Sequence, residues 1–269
     1  MDRLTSRQNS VIRYLRRLGR ERAFRREQGQ FLCDGEKLLI EALQNGAGVG
    51  TVLFREGGAM PELPKVDGLR VFSAPAEVFS WVSPLENSPG PVFAVKIPKL
   101  AAERPRRVIV LENLQDPGNV GTVLRTAAAL GCGLVALTGE CADPWNPKTV
   151  RASMGALFRQ PLLELTLPQL EEKLREWELP LYGAALTPEA VDVRSPDLRR
   201  AAVAVGNEGR GLSEELLALC EQKIVIPMTR NGVLFAVLDL DSPTVGRFTQ
   251  ADRAGLEVFV RVLEKALFP

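Results

Sequence analysis

Apolar positions set the first outline of this chain. Val11, Ile12, Leu15 and Leu18 recur at helical spacing with arginines on the other faces, which predicts a helix over residues 5–28. Phe31-Leu32-Cys33 then reads as a short strand. Asp34 is placed to cap a helix carrying Leu38, Leu39, Ala42 and Leu43 and ending near Asn45-Gly46. Short strands at Val52–Phe54 and Val71-Phe72, a helix near Ala76–Val82 and a strand at Val92–Val95 complete a small α/β unit over residues 1–96. The stretch 97–107 contains proline and charge without periodicity and reads as a linker.

From residue 108 to 269 the pattern changes. Val108–Leu111 is a continuous apolar run of the kind found in buried parallel strands. Asp116-Pro117-Gly118-Asn119 reads as a turn and cap, and Val120–Leu130 as a helix stopped by Gly131. Apolar runs at Leu134–Leu137, Leu181–Leu186, Ala201–Val205 and Ile224–Ile226, with a helix after Ser213, continue the alternation. The fold class is α/β: a small α/β domain followed by a mostly parallel α/β domain.

Charge changes the picture only locally. The 269 residues carry a net +1, but residues 1–30 hold nine arginines against Asp2, Glu21 and Glu27. Such an excess fits either phosphate contacts or a solvated helical face. The absence of histidine excludes Ser-His and Cys-His nucleophile designs and His-containing zinc sites, and no metal site is expected. Cys33, Cys132, Cys141 and Cys220 are scattered without a CxxC, which fits reduced thiols and a cytoplasmic location. No apolar run is long enough to cross a bilayer.

The candidate chemistry lies where buried strands hand over to helices. Glu112 to Ala127 reads ENLQDPGNVGTVLRTA. Its glycines allow close backbone approach, the helix start offers amides to an anion, and ligands collect at this edge of open α/β sheets. Asn119 offers a donor and an acceptor, and Arg125 a planar fork suited to phosphate. Six positions apart, the two do not share a helix face and meet only if Asn119 lies in the turn. The alternative is an ordinary cap and a surface arginine.

Four segments in this order resemble the SpoU branch of the SPOUT RNA methyltransferases. The run from Asp116 to Arg125 is similar to motif 1, Arg151–Phe158 to an intervening segment, Val203–Ser213 to motif 2, and Ile226-Pro227-Met228 to the opening of motif 3. The first domain, with Phe31–Lys37, resembles the substrate-binding domain that precedes such catalytic domains. The resemblance covers about residues 5–228. It implies methyl transfer from S-adenosylmethionine to a ribose 2′-hydroxyl of ribosomal or transfer RNA. It further implies a cofactor bound in bent form within a C-terminal trefoil knot, and a homodimer through the last helix. By match, Arg125, Asn119 and Glu208 are the catalytic set, and Gly206, Ile226, Met228 and Phe235 border the cofactor. Arginine is a poor general base, so Arg125 is read as orienting the target phosphate and stabilising the developing alkoxide, with phosphate or water taking the proton. Glu208 also has a plain reading, as a carboxylate near the start of a helix.

After Met228 the family pattern breaks. Arg230 stands where the family has glycine, and Leu234, Phe235 and Ala236 stand at its Ser-Leu-Asn. Asn231-Gly232 between β-forming runs predicts an antiparallel hairpin of Lys223–Met228 with Val233–Leu238, where the knot needs a helix. Thr249–Asp252 resembles a capping box opening a helix through Leu267. Residues from about 223 to 267 resemble the end of a GAF domain of the free methionine-(R)-sulfoxide reductase type, without its cysteine-bearing loop; Cys220 reads as an inert thiol. Three functions follow: the methyltransferase, an RNA-binding protein with a broken cofactor pocket, and a GAF-like sensor or reductase.

Overall fold

A computed structural model describes residues 1–58, 68–226, 228–230 and 233–236. Met1–Leu238 form one compact unit. The first part carries β1 (Asp2–Arg3), α1 (Ser10–Arg20), α2 (Arg22–Gln28), β2 (Gln30–Asp34), α3 (Glu36–Gln44), β3 (Val49–Arg55), β4 (Arg70–Ala74), α4 (Ala76–Val82) and β5 (Val92–Lys96). Its strands form a mixed sheet in the order β1-β4-β3-β5-β2. The second part carries β6 (Arg107–Glu112), α5 (Pro117–Ala129), β7 (Leu134–Thr138), α6 (Pro147–Ala152), β8 (Leu162–Glu164), α7 (Leu167–Trp177), β9 (Leu181–Ala184), β10 (Val191–Asp192), β11 (Ala201–Val205), α8 (Glu214–Leu219) and β12 (Gln222–Val225). These strands form a sheet in the order β10-β12-β9-β11-β6-β7-β8, and every pairing in it is parallel.

Several expectations are corrected. The single helix over 5–28 is two, because Glu21 adopts an extended conformation (φ −109°, ψ 107°) between α1 and α2. Asp34 does not cap α3: the cap is Gly35, and the Asp34 carboxylate accepts instead from the hydroxyls of Ser83 (2.5 Å) and Ser88. Asn119 lies in the first turn of α5 and not in a turn before it, because Asp116 caps the helix and Pro117 opens it. Gln222–Val225 does not join a hairpin. It pairs in parallel with β9 and β10, so the catalytic sheet extends through residues assigned to a GAF-like tail. The hairpin is shorter and later than expected: β13 (Met228–Arg230) pairs antiparallel with β14 (Val233–Ala236). The GAF-like run from Val237, the expected helix from Thr249 and the knot lie outside the described residues.

The core explains how the two sheets become one unit. Buried residues of the first sheet (Phe31, Cys33, Val52, Phe93, Val95) and of α3 (Leu39, Ala42) share a cluster with Leu111 and Leu137 of the second sheet and Val120, Leu124 and Val150 of α5 and α6. Phe31 lies 5.0 Å from Trp145 and 6.3 Å from Phe158, ring centre to ring centre. The outer face of the first sheet is closed by Ile12, Leu15 and Leu18 of α1 with Val78, Phe79 and Val82 of α4. The outer face of the second is closed by Leu170, Leu174 and Trp177 of α7 and Leu216 of α8. Among the described residues no helix is long and apolar enough to cross a membrane.

Candidate active site

The strand order places the site. From β6 the chain steps outward through β7 and β8, then returns to place β11 on the other side of β6. β6 and β11 run in register, Val205 beside Leu111, and their following helices go to opposite faces: α5 into the core between the sheets, α8 onto the outer face. A crevice at the carboxyl ends of such a strand pair is where open α/β sheets bind ligands. The segments 113–116 and 206–213 are its two lips.

Each lip is built rigidly. Asp116 accepts from the amides of Gly118 and Asn119 (3.1 Å) and pairs with Lys148 at 3.2 Å. Desolvation pushes its carboxyl up, but the Lys148 ammonium and the two amides outweigh that and hold it below the usual carboxylate range. On the other lip, Asn207 and Gly211 exchange backbone hydrogen bonds of 3.1 and 2.8 Å, closing a small ring. The Asn207 side-chain oxygen accepts from the amides of Gly209 and Arg210 inside it. Gly206 is packed so tightly that a Cβ there would lie 2.2 Å from the Gly211 carbonyl carbon.

The lips are tied together three times. Asn207 Nδ2 donates to the Asn113 carbonyl at 3.1 Å. The Glu112 carboxylate, buried at the end of β6, accepts from the amide (2.7 Å) and hydroxyl (2.6 Å) of Ser213, the residue that caps α8. At the solvent-facing edge Asn119 Nδ2 donates to Glu208 Oε1 at 2.7 Å. The structure therefore brings Asn119 and Glu208 together. It does not bring Arg125 to them by a hydrogen bond: six positions along α5, Arg125 turns to another face of the helix. That face meets α6, where a Cβ on Gly121 would lie 2.5 Å from the Thr149 carbonyl oxygen. Arg125 is half-buried there.

Three neighbouring parallel strands end on exposed apolar side chains beside the crevice: Leu186 after β9 (71% exposed), Val205 of β11 (40%) and Ile226 after β12 (72%). Met228 and Phe235 fall on β13 and β14. Sequence reasoning passed over Glu112, Asn113 and Asn207 as working parts. Asn113 sits at φ 54°, a left-handed conformation that asparagine tolerates, and its side chain accepts from the Glu140 amide at 2.7 Å. An acid closing an apolar strand was the visible signal at Glu112. Among the described residues no group of three or more potential ligands could hold a metal ion.

The comparisons with known proteins agree with this geometry. The SpoU rRNA Methylase family matches residues 106–233, and an MRM3-like substrate binding domain matches residues 9–94. An uncharacterised tRNA/rRNA methyltransferase of Synechocystis is 34% identical over 235 residues, 83% of this chain and 85% of that protein. The chain belongs to the SpoU rRNA methylase family. The Bacillus subtilis 23S rRNA (guanosine(2553)-2′-O)-methyltransferase RlmP is 30% identical over 85% of this chain and 91% of its own length. The structure of an AdoMet-bound rRNA methyltransferase from Sinorhizobium meliloti superposes with a TM-score of 0.70, at 25% identity over 88% of this chain and 92% of that one. SpoU proteins use S-adenosylmethionine, and this chain carries the SpoU fold. The family match runs on to residue 233, which overturns a GAF-like boundary at about 223.

Proposed function

We propose that this chain transfers a methyl group from S-adenosylmethionine to a ribose 2′-hydroxyl of ribosomal RNA, with transfer RNA as the other candidate. The observation that carries this reading is the convergence of the two lips at the β6/β11 switch point, closed by the Asn119–Glu208 contact of 2.7 Å. The name of the B. subtilis relative favours ribosomal RNA.

The residues present fit the cofactor. Three apolar strand ends offer an adenine a seat of low polarity, and Gly206 with the Asn207–Gly211 ring leaves backbone groups close at hand. Gly206, Ile226, Met228 and Phe235 are the residues that would border it. S-adenosylmethionine supplies an electrophilic methyl on a sulfonium; the ribose oxygen–methyl bond forms as the sulfur–methyl bond breaks. Arg125 orients the phosphate beside the reacting ribose and stabilises the negative charge that develops on its oxygen. A guanidinium does not accept the 2′-hydroxyl proton, which leaves to the phosphate or to water. Asn119 and Glu208 fix the crevice around these groups. We further read the protein as a cytoplasmic homodimer, the first from its four free thiols and the second from the family resemblance.

A second reading has one observation behind it. Met228 and Phe235 lie on an antiparallel strand pair, and a hairpin there in place of a helix would leave the cofactor pocket open and the protein an RNA binder without transfer. Titration calorimetry with S-adenosylmethionine, followed by transfer of labelled methyl to total RNA and nucleoside analysis, separates the two. The methyltransferase reading expects binding, a 2′-O-methylated nucleoside, and about a 100-fold or greater loss of the transfer rate in Arg125→Ala with cofactor affinity unchanged. No heat of binding at millimolar cofactor, with RNA still bound, would establish the second.

A further inference from the structure

The basic N-terminus is largely committed elsewhere. Of its nine arginines, Arg3 pairs with Glu56, Arg17 with Glu21, Arg22 and Arg26 with Glu164, and Arg25 with Asp143. Arg16 lies over the Trp81 ring at 3.9 Å and donates to the Trp81 carbonyl. Five of the nine thus have an acid partner, Arg22 and Arg26 sharing one, while Arg7, Arg13 and Arg20 have no ion pair among the described residues.

Positive charge without an ion pair also gathers in a second place. A cleft of about 720 Å³ opens between the start of α3, the ends of β3 and of the Pro89-Gly90 loop, and the end of α6. Its floor is apolar, from Leu38, Pro89 and Met154, the last 55% exposed. Its rim holds Lys37, Arg55 and Arg151, all exposed and, among the described residues, without an ion pair. Of the acids beside them, Glu56 is matched from outside the cleft by Arg3 and Glu41 by Arg159 at 3.1 Å, while Glu36 is exposed at the start of α3 and, among the described residues, has no ion pair. Asp34 is held by Ser83 and Ser88. Helix α3 has no side-chain cap, so its first amides also face this space. The cleft is wide enough for a small molecule. An apolar floor under a cationic rim suits a planar base with phosphates on either side, and unpaired bases are what proteins seat in this way on RNA. Its far wall, α6, is the helix that packs against the Arg125 face of α5, so a strand leaving Arg125 reaches the cleft across a single helix.

We propose that this cleft is a second RNA subsite, which takes one unpaired nucleotide of the substrate: its base on Leu38, Pro89 and Met154, its phosphates on Lys37, Arg55 and Arg151. The inference rests on the RNA-methylation reading for its partner. The test uses the full chain and a fluorescent single-stranded RNA of about twelve nucleotides, with affinity read by anisotropy across a salt series. Lys37→Ala, Arg55→Ala and Arg151→Ala should each weaken binding about 5-fold and flatten the plot of log affinity against log salt by about 0.7. Met154→Glu, at an exposed position, should weaken binding about 10-fold or more by placing a charge under the base. Arg194→Ala, which removes an exposed arginine paired with Asp192, should change neither affinity nor slope. Circular dichroism checks that each variant folds. Parent-like affinity and slope in the three rim variants would overturn the subsite, as would equal competition by a duplex of the same length. Cofactor binding is measured in parallel. A chain that binds no S-adenosylmethionine yet loses RNA affinity in the rim variants refutes methyl transfer and keeps the cleft; the reverse pattern refutes the cleft alone.

Discussion

Asn119 and Glu208 stand 89 positions apart in sequence and meet at 2.7 Å because two parallel strands in register deliver them to the same edge. Both are polar, and both belonged to recognisable motifs, so their identities were legible in the chain. Their partnership was not, because it depends on the order of the strands. Glu112 shows the opposite case. It looked like the end of an apolar strand, and only its two bonds to Ser213 reveal it as the clasp between the lips. Cys220 gives a residue-scale prediction. Its sulfur would lie 2.9 Å from a Cβ on Gly183, and burial, with the Glu112 carboxylate adding to it, pushes the thiol up to about 11. Folding therefore favours the protonated thiol: that contribution is complete below the free thiol's range and is lost as pH rises through about 11. At pH 8 its thiolate fraction should be about 100-fold below that of a free cysteine. Alkylation by iodoacetamide, followed peptide by peptide in a mass spectrometer, should be correspondingly slow; labelling of Cys220 at the free-cysteine rate would contradict this.

At the scale of elements, local signals fared best where one residue decides the matter. α4 occupies Ala76–Val82 and β11 occupies Ala201–Val205, the bounds expected from the sequence. α7 opens with a full Thr166–Gln169 capping box, a start signal that stood in the sequence and was not read there. The break at Glu21 is announced only by Gly19, directly after the last periodic residue Leu18, and Gln222–Val225 looked like a hairpin arm because its pairing partners lie far back in the chain. The Asn207–Gly211 ring, with Gly206 packed against it, is likewise invisible without coordinates. It predicts that Gly206→Ala is costly, since the added carbon meets the Gly211 backbone at 2.2 Å and backbone cannot swing aside. A loss of about 1–3 kcal/mol is expected, read as a lower denaturant midpoint at constant slope. Gly209→Ala is the control: its nearest neighbour would be the Asn207 side-chain oxygen at 3.6 Å, an ordinary contact.

For the molecule as a whole, the decisive feature is the joint between the two sheets. The α/β class and the two-part organisation could be read from the non-periodic stretch 97–107 and the change in hydrophobic pattern after it. The joint could not, because it is made of contacts more than a hundred positions apart. Arg25 and Asp143 are separated by 118 residues, and their side chains are only 3% and 7% exposed. Arg25 Nε meets Asp143 at 3.0 Å, and its Nη1 donates to the Leu18 carbonyl at 2.8 Å. Removing one member of such a pair strands the other charge in the core. Arg25→Ala should therefore lower the unfolding free energy by about 3–5 kcal/mol in urea titration, whereas Arg159→Ala, whose pair with Glu41 is exposed, should cost at most about 1 kcal/mol.

The Arg25–Asp143 pair also limits how this architecture can be recombined. The two family segments look like interchangeable cassettes, yet each presents its neighbour with half of a buried ion pair. A front segment grafted onto a catalytic segment lacking an acid at that point would bury a guanidinium with nothing to answer it. The joint thus acts as a compatibility key: the cassettes can be exchanged only in sets that carry both teeth.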